Sequence, residues 1–248
     1  MGFILGLLIA CAVGLTGVGA GSITAPVLIL MFHLKPAVAV GTALTFSAVI
    51  KLAVFPLYLR NRQVDFRTLG LLCFGGIPGV LIGTLLLKKL SMAEYERQIF
   101  LVLGITIISL SIANLYRSWR HLHTTALQER ARWLPLVAAL IGAEVGFSSA
   151  GAGALSAVAL LSLTKLAPSL VVGTDMVFGL TVSAVGGGLH LVAGYYDPSL
   201  MLQFCAGGVI GVFIGAMLSS KVPARKLRIV LSICLIALGL QLCWKALS

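Results

Sequence analysis

The sequence predicts an all-α polytopic membrane protein built from two homologous repeats. Only 10% of its 248 residues are charged, whereas soluble domains average about 25%. Uncharged apolar runs of about 18 residues or more recur along the chain, as transmembrane helices require. A helix pairs nearly all of its backbone polar groups internally and can therefore cross lipid. The lipid bilayer is thus a predicted partner.

The net charge of +11 does not indicate nucleic-acid binding, because the basic residues lie in short loops between apolar segments. Loop charges of this kind set the orientation of a protein in its membrane. All five cysteines lie within apolar runs and none forms a CxxC pair. We interpret them as packing residues. We therefore expect no metal site and no cofactor.

From Gly14 to Lys89 the first half of the chain aligns with the second half without a gap, at an offset of 132 residues. The offset superimposes three glycines of each half: Gly14, Gly19 and Gly21 on Gly146, Gly151 and Gly153. It also places "KPAVAVGTALTF" (35–46) on "APSLVVGTDMVF" (167–178). Chance apolar similarity would not align glycines and polar residues in one register. We predict a first membrane repeat at 1–116, a basic linker at 117–133 and a second membrane repeat at 134–248.

Each repeat contains four apolar segments: 1–32, 37–59, 69–87 and 98–116, then 134–164, 167–193, 199–219 and 229–246. The first segment of each repeat is too long for one crossing, which needs about 20 residues, and too short for two. Its glycine cluster would divide it into half-helices of about 18 Å each. Such a segment either crosses as a broken helix or re-enters as a hairpin.

Loop charges favour the hairpin. Crossing segments would leave eight basic residues on one side and nine on the other, whereas re-entrant segments leave twelve and five. A strong bias towards the cytoplasm is typical of membrane proteins. Three crossings plus a hairpin make each repeat insert in the opposite orientation to the other. We therefore predict an inverted repeat in the cell (inner) membrane, with linker 117–133 cytoplasmic and both termini outside.

The glycine clusters predict an anion site. A helix break exposes unpaired N–H groups, and the helix that follows presents its positive dipole end. Two such breaks near the midplane are typical of secondary transporters; the alternative is that the glycines only allow close helix packing. The predicted substrate-binding residues are Gly17, Gly19, Gly21, Gly41, Thr42, Lys51, Ser148, Ser149, Gly151, Gly153, Gly173 and Thr174.

Four titratable residues lie inside apolar segments, where charge is costly and usually functional: Lys51, Glu144, Asp175 and His190. Lys51 and Asp175 each lie about eight residues from a cytoplasmic helix end, so both reach a depth of about 12 Å in the inverted arrangement. Lys51 would face the anionic substrate. Asp175, Glu144 and His190 are the candidates for proton coupling. The alternative for Lys51 and Asp175 is a static ion pair.

Several motifs resemble the TauE/SafE sulfite exporter family of bacterial membrane permeases. They are "VGTALTF" (40–46), "GGIPGVLIG" (75–83), "VVGTDMVF" (171–178), "GGLHLVAGYYD" (187–197) and "GGVIGVFIG" (207–215). The resemblance covers nearly the whole chain. It implies a secondary transporter, usually an exporter, of small sulfur-containing anions such as sulfite, sulfonates or sulfoacetate.

Two other classes remain open. An anion channel could use the same site. An intramembrane serine hydrolase would use "GFSSAG" (146–151) with His190, but the first-repeat counterpart "GLTGVG" (14–19) has no serine. We therefore predict no catalytic residues and no enzyme activity. The sequence does not define the oligomeric state.

Overall fold

The computed structural model describes residues 1–16, 19–92, 95–120, 131–150, 152–153, 155–218 and 224–247. The described ranges are helical, and no strand occurs in them, which confirms the all-α prediction. The α-helices are α1 (Gly2–Thr16), α2 (Ala20–Met31), α3 (Pro36–Arg60), α4 (Phe66–Met92), α5 (Glu96–Arg120), α6 (Leu134–Ser148), α7 (Leu155–Leu163), α8 (Pro168–Val192), α9 (Pro198–Leu218) and α10 (Ala224–Leu247). A short 3₁₀ helix at Ala131–Trp133 precedes α6.

Both long first segments are divided at their glycine clusters. In the first, α1 ends at Thr16 and α2 begins at Ala20. In the second, α6 ends at Ser148, and Ser149 adopts a left-handed conformation with φ 63°. A left-handed residue directly after the last turn is a common way for a helix to end. The half-helices therefore form where the sequence predicts them.

Within the described ranges, four helices are long and apolar enough to cross a membrane: Pro36–Arg60, Phe66–Ser91, Ser169–Val192 and Pro198–Leu218. Their mean hydropathy lies between 1.5 and 2.1. The 25 residues of α3 span about 37 Å, which exceeds the hydrocarbon thickness of about 30 Å. The described parts of α1, α2, α5, α6 and α10 provide shorter apolar stretches.

The first helix of each half packs closely along the second long helix of the other half. Along α1, Gly6 lies against the carbonyl of Phe204 and Gly14 against that of Val212, so α1 and α9 run parallel. Along α4, Gly79 and Gly83 lie against the carbonyls of Ala139 and Ala143 in α6, again in parallel. Small residues allow helix backbones to approach this closely in membranes.

The centre of the molecule is the antiparallel pair α3 and α8. The Ser183 hydroxyl lies 3.3 Å from that of Ser47, and one turn further along α3 the Lys51 side chain lies over Gly179. This pair contributes most of the deeply buried polar residues described below.

Two further helices flank the central pair in defined directions. Phe46 of α3 packs edge-on against Phe204 of α9, with ring centroids 5.7 Å apart, and Ile50 lies near Gly208; α3 and α9 are therefore parallel. On the other side, Phe178 lies near Gly76 and Gly186 near Val80. Consequently α8 and α4 are parallel as well.

Two reciprocal hydrogen bonds connect the halves at opposite ends of the central pair. The Thr42 hydroxyl accepts a 3.2 Å bond from the backbone N–H of Asp197. The Thr174 hydroxyl accepts a 2.9 Å bond from the N–H of Asp65. Each aspartate in turn caps the helix that follows it, because its carboxylate accepts a bond from the N–H three residues later. Each half thus positions the start of a long helix of the other.

Candidate functional site

A cavity of about 490 Å³ lies between the C-terminal part of α3 and the N-terminal part of α8. This volume is in the range of small-molecule sites. The cavity reaches from Lys51, which is only 5% exposed, to the exposed Asn61 in the α3–α4 connection. Its described lining consists of Val13, Gly14, Leu15, Ile50, Lys51, Val54, Leu57, Tyr58, Asn61, Gln63, Gly153, Ala157, Val172, Asp175, Met176, Val212 and Ala216.

Lys51 contributes the positive charge of this cavity. Its ammonium lies over the bare face of Gly179, where a Cβ atom would approach Nζ to 2.5 Å. The ammonium and the Asp175 carboxylate attract each other, but Nζ has no carboxylate within the 4.0 Å of an ion pair among the described residues. The described contacts therefore do not include the static ion pair that the sequence left open.

Asp175 contributes the negative charge and is also buried, with 7% exposure. Its carboxylate accepts hydrogen bonds from the Ser156 hydroxyl and from the backbone N–H of Gly153. The same Gly153 N–H is 3.0 Å from the Ser156 oxygen. The carboxylate thus lies at the N-terminal end of α7, where the helix dipole favours negative charge. One of the two predicted anion-binding helix ends is occupied by a side chain of the protein itself.

The two glycine-rich breaks contact each other directly beside the cavity. A Cβ atom on Gly19 would collide with the carbonyl of Ala152, and one on Gly21 would collide with the carbonyl and hydroxyl of Ser149. The Ser149 hydroxyl is buried and has no hydrogen-bond partner among the described residues. The described parts of the two breaks are therefore in contact. Gly153 lines the cavity itself, whereas Gly19, Gly21 and Ser149 are packed behind it.

The predicted binding residues Gly41, Thr42, Gly173 and Thr174 lie near the N-terminal ends of α3 and α8, and therefore at opposite ends of this antiparallel pair. None of the four belongs to the described cavity lining. Gly41 packs against the carbonyl of Tyr195, and Gly173 packs against that of Gln63. Thr42 and Thr174 form the two reciprocal bonds between the halves. In the structure, these four residues form contacts between the central helices and the connecting loops.

Glu144 and Ser148 do not belong to the described lining of the cavity that contains Lys51 and Asp175. The Ser148 hydroxyl donates to Glu144 Oε1 and accepts a 3.1 Å bond from the N–H of Ala150, so it helps to end α6. The other carboxylate oxygen, Oε2, is buried and has no hydrogen-bond partner in the described part of the chain. Glu144 lines a second, apolar cavity between α6 and α7.

His190 is almost completely buried, with 1% exposure, and is also remote from the described cavity lining. Its Nδ1 lies 2.9 Å from the carbonyl of Gly186, and its ring packs against Gly41 and Tyr195. The contacts of Ser148 and His190 are thus with different partners, and the structure does not bring them together as a hydrolase pair. Gly17 and Gly151, the remaining predicted site residues, lie outside the described residues.

Comparison with known proteins identifies the family. The model of the family described as "Sulfite exporter TauE/SafE" matches residues 2–242. The chain belongs to the TauE/SafE sulfite exporter family.

The relatives of this TauE/SafE protein match it along most of their length. The probable membrane transporter protein YjnA of Bacillus subtilis (strain 168) is 30% identical over 248 residues, covering 96% of this chain and 97% of that protein. A probable membrane transporter protein of Haemophilus influenzae is 26% identical, covering 86% and 84%. No solved structure matches the chain. The protein is a multi-pass membrane protein of a transporter family, which implies a small-molecule substrate.

Sequence reasoning missed several residues of the TauE/SafE protein that line the cavity or contact its charged side chains. Gly179 follows Asp175 by four residues and Tyr58 follows Lys51 by seven, so each shares a helix face with its charged neighbour. That spacing could have identified both. Ser156 could have been identified as a hydroxyl in the first turn after the second break. Asn61 and Gln63 gave no such signal, because their place depends on how the α3–α4 connection folds over α8.

Proposed function

We propose that this protein is a secondary transporter that exports small sulfur-containing anions of the sulfite, sulfonate or sulfoacetate type. The observation that carries the proposal is the buried Lys51 ammonium, which faces a cavity without an ion-pair partner among the described residues. A buried cation is costly unless it is compensated. A bound anion supplies that compensation. The family to which the chain belongs supports sulfur-containing anions as the class.

The membrane arrangement that we propose is an inverted repeat with re-entrant first segments. It is supported by helix directions: α1 and α3 both run parallel to α9, so α2 has to run back between them. In the second half, α6 and α8 both run parallel to α4. Since α3 and α8 are antiparallel, the halves have opposite orientations. With loop charges of twelve against five, linker 117–133 is cytoplasmic and both termini are outside the inner membrane.

In this orientation the cavity mouth at Asn61 faces the cytoplasm, where an exporter loads its substrate. At the other end of the central pair, Gly41 packs tightly against His190 and the Tyr195 carbonyl. A path that is open at one end and packed at the other is what alternating access requires. This favours a carrier over the anion channel.

The two converging breaks form the inner wall of the site. Gly153 lies at the cavity, with Gly19, Gly21 and Ser149 behind it, and we propose that Gly17 and Gly151 complete this wall. For proton coupling we propose Asp175, because it lines the same cavity as Lys51. Glu144 and His190 are secondary candidates, since neither belongs to the described lining.

The experiment is flux of radiolabelled sulfite and of a small sulfonate in proteoliposomes that contain the purified protein. Lys51→Met should abolish flux, because the neutral side chain removes the only positive charge in the described lining. Ser47→Ala is the matched control: it lies one turn away on α3, is equally buried and is absent from that lining. Unchanged flux in a folded Lys51→Met protein would contradict the proposal that Lys51 binds the transported anion.

A further inference from the structure

The cavity contains one side chain of each charge, held on facing helices. Lys51 extends from α3 and Asp175 from α8, and they are the only charged residues in the described lining. Among the described residues no ion pair within 4.0 Å joins the two groups, and both side chains line the same cavity. Asp175 is fixed in place by Ser156 and by the Gly153 backbone.

A simple anion pairs with only one of these two charged side chains, Lys51. When it binds to Lys51, the Asp175 carboxylate is left facing a second negative charge among apolar walls that include Ile50, Val54 and Val212. Although Ser156 and the N-terminal end of α7 stabilise the carboxylate, a second negative charge in the same apolar cavity repels it. A cationic group on the substrate removes the penalty, because it can form a charge-assisted hydrogen bond with Asp175.

We propose that the preferred substrate is a small zwitterion, an amino sulfonate whose sulfonate group binds Lys51 and whose ammonium group binds Asp175. This inference rests on the transport function proposed above and narrows its substrate class. The cavity volume of about 490 Å³ accommodates a two-carbon amino sulfonate together with several water molecules, each of which takes about 30 Å³. For an anion without an amino group, the proton proposed for Asp175 takes the place of the ammonium.

The two substrate types therefore have opposite pH dependence. The ammonium of an amino sulfonate requires an ionised Asp175, so its binding strengthens as pH rises. A plain alkyl sulfonate requires a protonated Asp175, so its binding weakens as pH rises. Both pH dependences are measured on the wild-type protein, so neither measurement depends on whether a variant folds.

The test measures binding of 2-aminoethanesulfonate, ethanesulfonate and ethylamine to the purified protein by thermal shift and by competition in proteoliposomes. We expect 2-aminoethanesulfonate to bind about tenfold more tightly than ethanesulfonate near neutral pH, the gain of one charge-assisted hydrogen bond. Ethylamine, which lacks the sulfonate, should bind weakest. Asp175→Asn should remove the preference for the amino compound, whereas Ser47→Ala should retain it.

The outcomes distinguish failure of the zwitterion inference from failure of the proposed transport function. Equal binding of the two sulfonates, with the same pH dependence, overturns the zwitterion inference and leaves the proposed anion transport intact. A preference that persists in a folded Asp175→Asn protein also overturns it. Failure of both sulfonates and of sulfite to bind or move overturns the proposed function itself.

Discussion

Replacing Gly179 by alanine tests the position of the Lys51 ammonium without removing any functional group. The new Cβ atom would lie 2.5 Å from Lys51 Nζ and 3.3 Å from Cε, whereas ordinary contacts are about 3.5 Å. The ammonium is the free end of a flexible chain, so we expect it to retreat by about 1 Å while the backbone stays in place. Alanine is also a better helix former than glycine, so the protein should fold.

The loss of affinity follows from Coulomb's law. At an effective dielectric constant of about 20, attraction between unit charges falls from about 4.2 kcal/mol at about 4 Å to about 3.3 kcal/mol at about 5 Å. The difference of about 0.8 kcal/mol corresponds to about fourfold weaker binding of the anion. The assay is the concentration dependence of sulfonate flux in proteoliposomes.

Gly188→Ala is the matched control for this prediction. Gly188 lies on the same helix, and a Cβ atom there would meet nothing within 4 Å. Affinity should therefore be unchanged in that variant. The reasoning is refuted if a folded Gly179→Ala protein binds the anion as tightly as the wild type, or if both alanine variants lose affinity equally.

Two further predictions concern coupling and stability. Asp175→Asn should flatten the pH profile of ethanesulfonate flux, which in the wild type rises as pH falls because a protonated carboxyl no longer repels the anion; a profile that keeps its slope would exclude Asp175 as the proton site. Gly21→Ala should lower stability in detergent by about 1–3 kcal/mol through overpacking, because its Cβ would collide with Ser149. Gly70→Ala, with nothing within 4 Å of the added atom, should leave the unfolding temperature unchanged, and equal unfolding temperatures for the two variants would contradict this packing argument.

The sequence predicted the elements well because their causes are local. Apolar length determines where α3 and α8 lie, and the glycine clusters determine where the first segments break. The pairing of α1 with α9 and of α4 with α6 could not be predicted. Each of these apolar helices carries small residues that suit several partners, and only the assembled bundle selects among them.

Only part of the candidate site could be predicted from the sequence, because some of its contacts have local causes and others depend on the assembled bundle. Depth along two helices was sufficient to predict that Lys51 and Asp175 lie near each other, and they line one cavity. The roles of Gly41 and Thr42 depend on the loop around Tyr195 and Asp197, about 155 residues away in the sequence, and no local pattern encodes that distance. Glu144 was predicted as a proton-coupling candidate, but its orientation towards the second cavity depends on how α7 packs on α6.

The close packing of α1 against α9 has a consequence for biosynthesis. Helix α1 leaves the ribosome long before α9, yet its glycine-lined face contacts residues 203–216. During translation that face therefore contacts lipid or the insertion machinery until most of the chain has been synthesised. A truncation before residue 203 would leave the nascent N-terminus without its permanent neighbour and expose it to quality-control proteolysis.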